Sequence, residues 1–279
     1  MRPLISLAVL AGLCAAAATV PAAPVEIHPA GPAVPENLLR IELRFARPQR
    51  LPFDIRHLKL LDASGQELDG ALLDLTLPNA DGRRITVLMD PGRVKSGVGP
   101  NLAAGRALRA GESVRLVVDD PASGGPPVVK AWRVTAPLSQ PIDPGAWRLS
   151  APRAGSRDAL VVDLRQPISS SGERLIAVLD AAGRRVAGST ALARGDAQWR
   201  FTPAQPWQPG LHQLVTHPDL EDPAGNRRCA AFEQVRESEI RCDVGASLPF
   251  EPSARAPAAG ACADQSSCRT ASTTVRGRL

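Results

Sequence analysis

Apolar and polar residues alternate with a period of two through several short segments, and this alternation predicts β-strands, whose successive side chains point to opposite faces of a sheet. Leu39, Ile41, Leu43 and Phe45 fall on one face and Arg40, Glu42 and Arg44 on the other, where they are expected to meet water. The same holds for Leu160, Val162 and Leu164 against Asp163 and Arg165, and for Trp199 and Phe201 against Gln198 and Arg200. A slip of one residue would bury the charges, so the pattern also sets the register. The segments between are turns: Asp62-Ala63-Ser64-Gly65, Asn79-Ala80-Asp81-Gly82, Asp90-Pro91-Gly92 and Asp180-Ala181-Ala182-Gly183. Asp and Asn bond their own backbone there, and Gly supplies positive φ. Past the N-terminal segment no apolar run has a helical period, apart from a short turn near residues 102–108, so the chain reads as all-β.

The strand-and-turn order occurs twice. Leu43-Arg44-Phe45-Ala46-Arg47-Pro48 leads to Leu60-Leu61-Asp62-Ala63-Ser64-Gly65, then Ile85-Thr86-Val87-Leu88, then Leu116-Val117-Val118. Val162-Asp163-Leu164-Arg165-Gln166-Pro167 leads in the same order to Val178-Leu179-Asp180-Ala181-Ala182-Gly183, Gln198-Trp199-Arg200-Phe201 and Leu214-Val215. Units of roughly 100 residues suit immunoglobulin-like sandwiches. We therefore expect two tandem immunoglobulin-like β-sandwiches, at residues 33–136 and 146–250. Residues 137–145 read as a proline-rich linker, semi-rigid because of Pro137, Pro141 and Pro144. Residues 93–107 read as a long loop in the first sandwich. Residues 251–279 hold too few bulky apolar side chains to build a core and read as a disordered tail.

Residues 1–23 read as an export signal: Arg2 supplies the positive start, residues 4–20 an apolar run, and Val20-Pro21-Ala22-Ala23 a small-residue cleavage site, so the mature chain would begin near Pro24. Leu13 precedes Cys14 where a lipid-acceptor motif has a small residue, which argues against lipidation. Four cysteines remain, Cys229, Cys242, Cys262 and Cys268. In an oxidising compartment they are disulfide candidates, with three pairings open. Cys229 with Cys242 is the first choice, because both flank the expected last strand. The spacings do not suit common structural zinc sites.

The formal charge is +5, from 33 Lys and Arg against 28 Asp and Glu. Arg2 and the tail account for much of the excess, and the other arginines alternate with carboxylates along strands. With no tyrosine and no clustered basic face paired with stacking aromatics, a nucleic-acid partner is not expected. Trp132 and Trp199 sit on inward strand positions; Trp147 and Trp207 lie at segment edges and are the candidate ligand-contact residues. Catalytic signatures for an acyl-transfer elbow, a phosphate loop or a zinc protease are absent. The densest polar cluster is His212, His217, Asp219, Glu221 and Asp222. Its carboxylates could hold calcium, but Asp222-Pro223-Ala224-Gly225-Asn226 makes equal sense as a capped turn. His28 and His57 read as surface residues.

Trp207-Gln208-Pro209-Gly210-Leu211-His212-Gln213-Leu214-Val215, followed by Leu220-Glu221-Asp222-Pro223-Ala224-Gly225-Asn226, resembles the closing signature of bacterial Ig-like domains of the S-layer-protein type. The second copy departs from it at His212, where the pattern has an aromatic residue. The first copy, ending Asp119-Asp120-Pro121-Ala122-Ser123-Gly124-Gly125, lacks the Ala-Gly-Asn close. The resemblance implies an extracellular sandwich used as a spacer, adhesion module or enzyme appendage, and it carries no catalytic residues. We expect a non-catalytic exported envelope protein (periplasmic, secreted or on the cell surface) that presents Ig-like domains to a protein or surface polymer. No cofactor, metal or membrane span after signal cleavage is expected. The alternatives are a carbohydrate-binding module using Trp147 or Trp207, and an unrecognised hydrolase built on residues 219–222.

Overall fold

The computed structural model describes residues 24–97, 99–120, 122, 124–233 and 244–253. The expected signal segment with Cys14, the expected disordered tail beyond Ser253, and Cys242, Cys262 and Cys268 lie outside the described residues. Among the described residues no helix is long and apolar enough to cross a membrane.

The described chain forms two tandem immunoglobulin-like β-sandwiches. In the first, β1 (Val25–His28), β3 (Arg40–Phe45), β6 (Arg84–Met89) and β5 (Leu72–Pro78) make one sheet in the order β1-β3-β6-β5. The facing sheet runs β2-β8-β7-β4, from β2 (Ala33–Pro35), β8 (Val128–Thr135), β7 (Ser113–Val118) and β4 (Leu58–Leu61). The ladders are antiparallel except that β2 runs parallel to β8. The N-terminal stretch thus serves both sheets, crossing between them at Pro29 and Pro32, which have no amide proton to give to a ladder. β1 lies ahead of the start expected at residue 33, and its pairing with β3 makes it an edge of the first sandwich.

The second sandwich sets β12 (Gly188–Ala193), β13 (Gln198–Pro203), β10 (Leu160–Asp163) and β9 (Arg148–Ser150), in that order, against β11 (Ile176–Leu179), β14 (His212–Thr216) and β15 (Ser247–Phe250). Four strands facing three in this connectivity is the constant-type immunoglobulin arrangement. Gly188 on β12 has to be glycine, since a Cβ there would stand 2.4 Å from the Thr202 carbonyl oxygen and 2.5 Å from the Phe201 ring.

Each sandwich has its own core. Ile41, Leu43, Ile85, Val87, Leu116 and Trp132 are at the centre of the first, and Leu160, Val162, Ile176, Val178, Trp199 and Leu214 of the second. The inward sets expected from the alternation are the ones buried. A buried indole N–H needs an acceptor; Trp132 Nε1 donates to the Pro29 carbonyl at 2.9 Å and Trp199 Nε1 to that of Glu173 at 3.0 Å.

Residues 93–107 are not a plain loop. α1 (Pro91–Val94) opens on Asp90, whose carboxylate accepts the Gly92 amide at 2.8 Å, with proline at the first helical position. α2 (Gly99–Ala104) follows, and Arg93 Nε bonds the Gly105 carbonyl at 2.9 Å. Helices this short carry little hydrophobic periodicity, which is why the pattern showed at most a turn.

Trp199 is fully buried, stacked on Phe201 with ring centroids 5.9 Å apart, so Trp199→Ala leaves a large cavity. Urea unfolding should show a loss of about 3–5 kcal/mol in that variant; a loss below about 1 kcal/mol would mean the second core does not depend on this ring.

Candidate functional site

The outward residues of β3, expected to face water, instead face the second sandwich. The Glu42 carboxylate, 2 % exposed, accepts the Ser171 amide at 2.9 Å and 3.1 Å. Arg44 Nη2 reaches Glu173 Oε2 at 2.8 Å and the Ser170 carbonyl at 2.9 Å. Arg40 Nε lies 2.8 Å from Glu221 Oε1. The amides of Leu39 and Arg40 both donate to the Pro223 carbonyl, at 2.8 Å and 3.1 Å. Buried polar groups are tolerated where their bonding is met, and here each sandwich supplies the other's partners.

Two glycine contacts allow this approach. Arg194, Gly195 and Asp196, in the turn between β12 and β13, all have positive φ. A Cβ on Gly195 would come within 2.7 Å of Gly31 Cα. The turn aims Asp196 into the first sandwich, where its carboxylate meets His28 Nδ1 at 3.0 Å and accepts the Ala30 amide at 2.7 Å. Gly225, with φ near 80°, similarly makes room for the Leu39 side chain. His28, expected on the surface, is therefore buried, because β1 is an edge strand that the second sandwich covers.

The linker is clasped as well. Asn37 takes both polar groups of Leu138, donating to its carbonyl at 2.8 Å and accepting its amide at 2.9 Å, and Asn226 Nδ2 donates to the same carbonyl at 2.9 Å. Ile142 is buried in the second core. Beyond the closing turn, Phe232 packs on the first core and Arg106 bridges Glu36 and Glu233 at 3.1 Å and 2.7 Å.

The acid-rich cluster does not converge on one point. Asp222, fully buried, accepts the Ala224 and Asn226 amides at 2.9 Å each and Asn226 Nδ2 at 2.8 Å. Burial pushes its carboxyl up to about 6 against these bonds, with the Glu221 charge adding to the rise. Glu221 is also raised by burial, opposed by Arg40 and Arg227. Asp219 stays at the surface with Arg227 at 3.1 Å. His212 lies elsewhere, its ring between Trp207 and Phe250 and its Nδ1 2.9 Å from the Gly210 carbonyl oxygen. Among the described residues no group of three or more His, Cys, Asp or Glu is placed to hold a metal ion.

Neither candidate ligand-contact tryptophan is presented to solvent. Trp207 is 2 % exposed, edge-on to Phe201 and Phe250, with Nε1 donating to the Asp158 carbonyl at 2.8 Å. Trp147, 7 % exposed, packs into the same core. Both sit at segment edges in sequence, but the sandwich closes over its ends, so neither ring offers a face for a sugar to stack on. Cys229 follows the closing turn, and Cys242 is outside the described residues.

Ser170, His28 and Asp196 come together at the junction, the nearest thing here to a catalytic set. The space that Ser170, His28 and Asp196 share with Arg40, Glu42 and Pro223 is too small to hold a water molecule. The Ser170 hydroxyl has no hydrogen bond to His28. The junction leaves no mark on the alternation pattern, because a charge at an outward strand position reads alike whether water or another domain meets it.

These strand orders and this closed junction define a tandem immunoglobulin-like protein. More particularly, the chain is similar to the Ig1-2 module of the Drosophila receptor protein tyrosine phosphatase DLAR, at 12% identity over 70% of this chain and 91% of that one, TM-score 0.24. It is also similar to domains 5-6 of the S-layer protein SbsC (10% identity, 81% and 95% covered, TM-score 0.25) and to titin domains z1z2, solved with telethonin (11%, 63% and 79%, TM-score 0.19). Scores this low carry no argument about function, and the fold assignment rests on strand order and register. No protein family and no curated relative matches the chain.

Because the Asp222 carboxyl is raised above its ordinary 3.8, its contribution to stability is full below about pH 4 and is lost as pH rises through about 6. Denaturation of the wild type and Asp222→Asn at pH 4 and pH 7 should show the wild type losing roughly 2–3 kcal/mol relative to the variant over that interval. Parallel pH profiles would contradict the assignment.

Proposed function

We propose that this is a non-catalytic, exported envelope protein whose two sandwiches form one stiff unit that presents its outer faces to a protein or a surface polymer. The observation that carries this reading is the use made of the groups that most resembled chemistry: His28 and Glu221 join the sandwiches, and Asp222 holds the closing turn whose Pro223 carbonyl takes the Leu39 and Arg40 amides. Bonds of that kind hold a presenting scaffold in one shape. The N-terminal segment supports export, since its charged start, apolar run and small-residue end match a signal sequence. An oxidising destination accords with a Cys229–Cys242 pair closing the segment before β15.

Expression of the full chain in a bacterial host, followed by fractionation and non-reducing mass spectrometry, tests the reading. The expected product begins near Pro24, lies outside the cytoplasm and links Cys229 to Cys242. Full-length protein with free thiols in the cytoplasm would contradict it, as would turnover across a hydrolase panel that a point substitution abolishes.

A further inference from the structure

The face of the β2-β8-β7-β4 sheet that points away from the core carries cations and small apolar groups in a regular array. Lys59 is opposite Val117, which is opposite Val129. Leu61 is opposite Arg115, which is opposite Ala131, and Ser113 is opposite Arg133. Lys59, Arg115 and Arg133 are all exposed, and so is Val129. An offset of two residues from each cation to the next, on three neighbouring strands, keeps them on one face and puts them on a straight diagonal. Strand spacing and rise place successive Cα atoms about 8 Å apart along it.

No carboxylate occupies an outward position on β4, β7 or β8. The nearest in the pairing pattern is Glu67, which bridges Leu61 at the margin. Among the described residues none of the three cations has an ion pair, whereas Arg40, Arg44, Arg106 and Arg227 do. The fold does not require this arrangement. The matching face of the second sandwich presents Ala177, Leu179, Gln213, Val215, Ser247 and Pro249 and bears no charge. The first sandwich therefore has a cationic line that the second, built to the same plan, lacks.

The geometry points to this face as the docking surface for an extended anionic polysaccharide, lying along the Lys59, Arg115 and Arg133 diagonal. This rests on the presentation reading and names its partner class. Charge complementarity selects a polyanion. The absence of aromatic rings from the face removes the stacking platform on which single-stranded nucleic acid depends, and the large aromatic anchors on which protein interfaces concentrate their affinity. Ser113 and Thr135 add hydroxyls at exposed positions on the same face, suited to sugar hydroxyl groups.

Binding of the full chain to immobilised polygalacturonate, measured by interferometry at low and physiological ionic strength, tests the proposal. The variant Lys59→Ser/Arg115→Ser/Arg133→Ser should bind about tenfold more weakly and with less dependence on salt, three exposed charge contacts acting together. A charge-matched control, Arg148→Ser/Arg185→Ser/Arg200→Ser on the second sandwich, should bind as the wild type does. Thermal melts should match, because every substituted side chain is exposed. Unchanged binding by the first variant, equal loss in the control, or equal wild-type affinity for dextran, polyglutamate, single-stranded DNA or anionic vesicles would overturn the assignment. If the wild type binds isolated envelope but not polygalacturonate, this face fails and the presentation reading survives; if it binds neither, both fail.

Discussion

The organisation of the molecule depends on the burial of charged side chains between its two sandwiches. Glu42, Asp196 and Asp222 are each nearly or fully buried, and each takes hydrogen bonds that cross the junction or hold its closing turn. Removing a carboxylate from water is costly unless its bonding is met. Any other relative placement of the sandwiches would leave Glu42 and Asp196 without the partners they have across the junction, so this one orientation is strongly preferred. Asn37, Asn226 and Leu138 then bind the linker to both domains, turning a short connection into part of the interface.

From that constraint follows the division of the surface. One face of the first sandwich is committed to its neighbour, and the acidic stretch before Asn226 is committed with it. Aromatic rings are withdrawn into the cores, where Trp207, His212 and Phe250 pack together at one end of the second sandwich. What remains outward is sheet surface and turns, including a cationic face on the first sandwich. The recognition surface we propose works by charge pattern and stiffness.

Much of the fold was legible because burial and alternation are the same fact seen at two levels. Ile41, Leu43 and Phe45, or Trp199 and Phe201, repeat every second residue because one face of each strand is dry. The turns at Asp62 and Asp180 were legible for a local reason: each carboxylate accepts the amide four residues on and a donor two residues on, the Ser64 hydroxyl for Asp62 and the Ala182 amide for Asp180. β1 was missed because it is short and ends at prolines, and β12 because Gly188-Ser189-Thr190 alternates weakly. The junction could not be read at all. Arg40, Glu42 and Arg44 obey the rule for a wet face, and only the arrival of a second domain with matching groups makes that face dry. Trp147 and Trp207 failed as exposed candidates for the converse reason, since position near a segment end says nothing about what closes over it.

The central claim is that the two sandwiches tumble as one body. Residual dipolar couplings measured for backbone amides in both halves test it most directly. A single alignment tensor should fit the two sets together, with the orientation set by the contacts of His28, Arg40, Glu42 and Arg44. Two tensors of clearly different magnitude, one for each sandwich, would show that the halves move independently and would contradict the account.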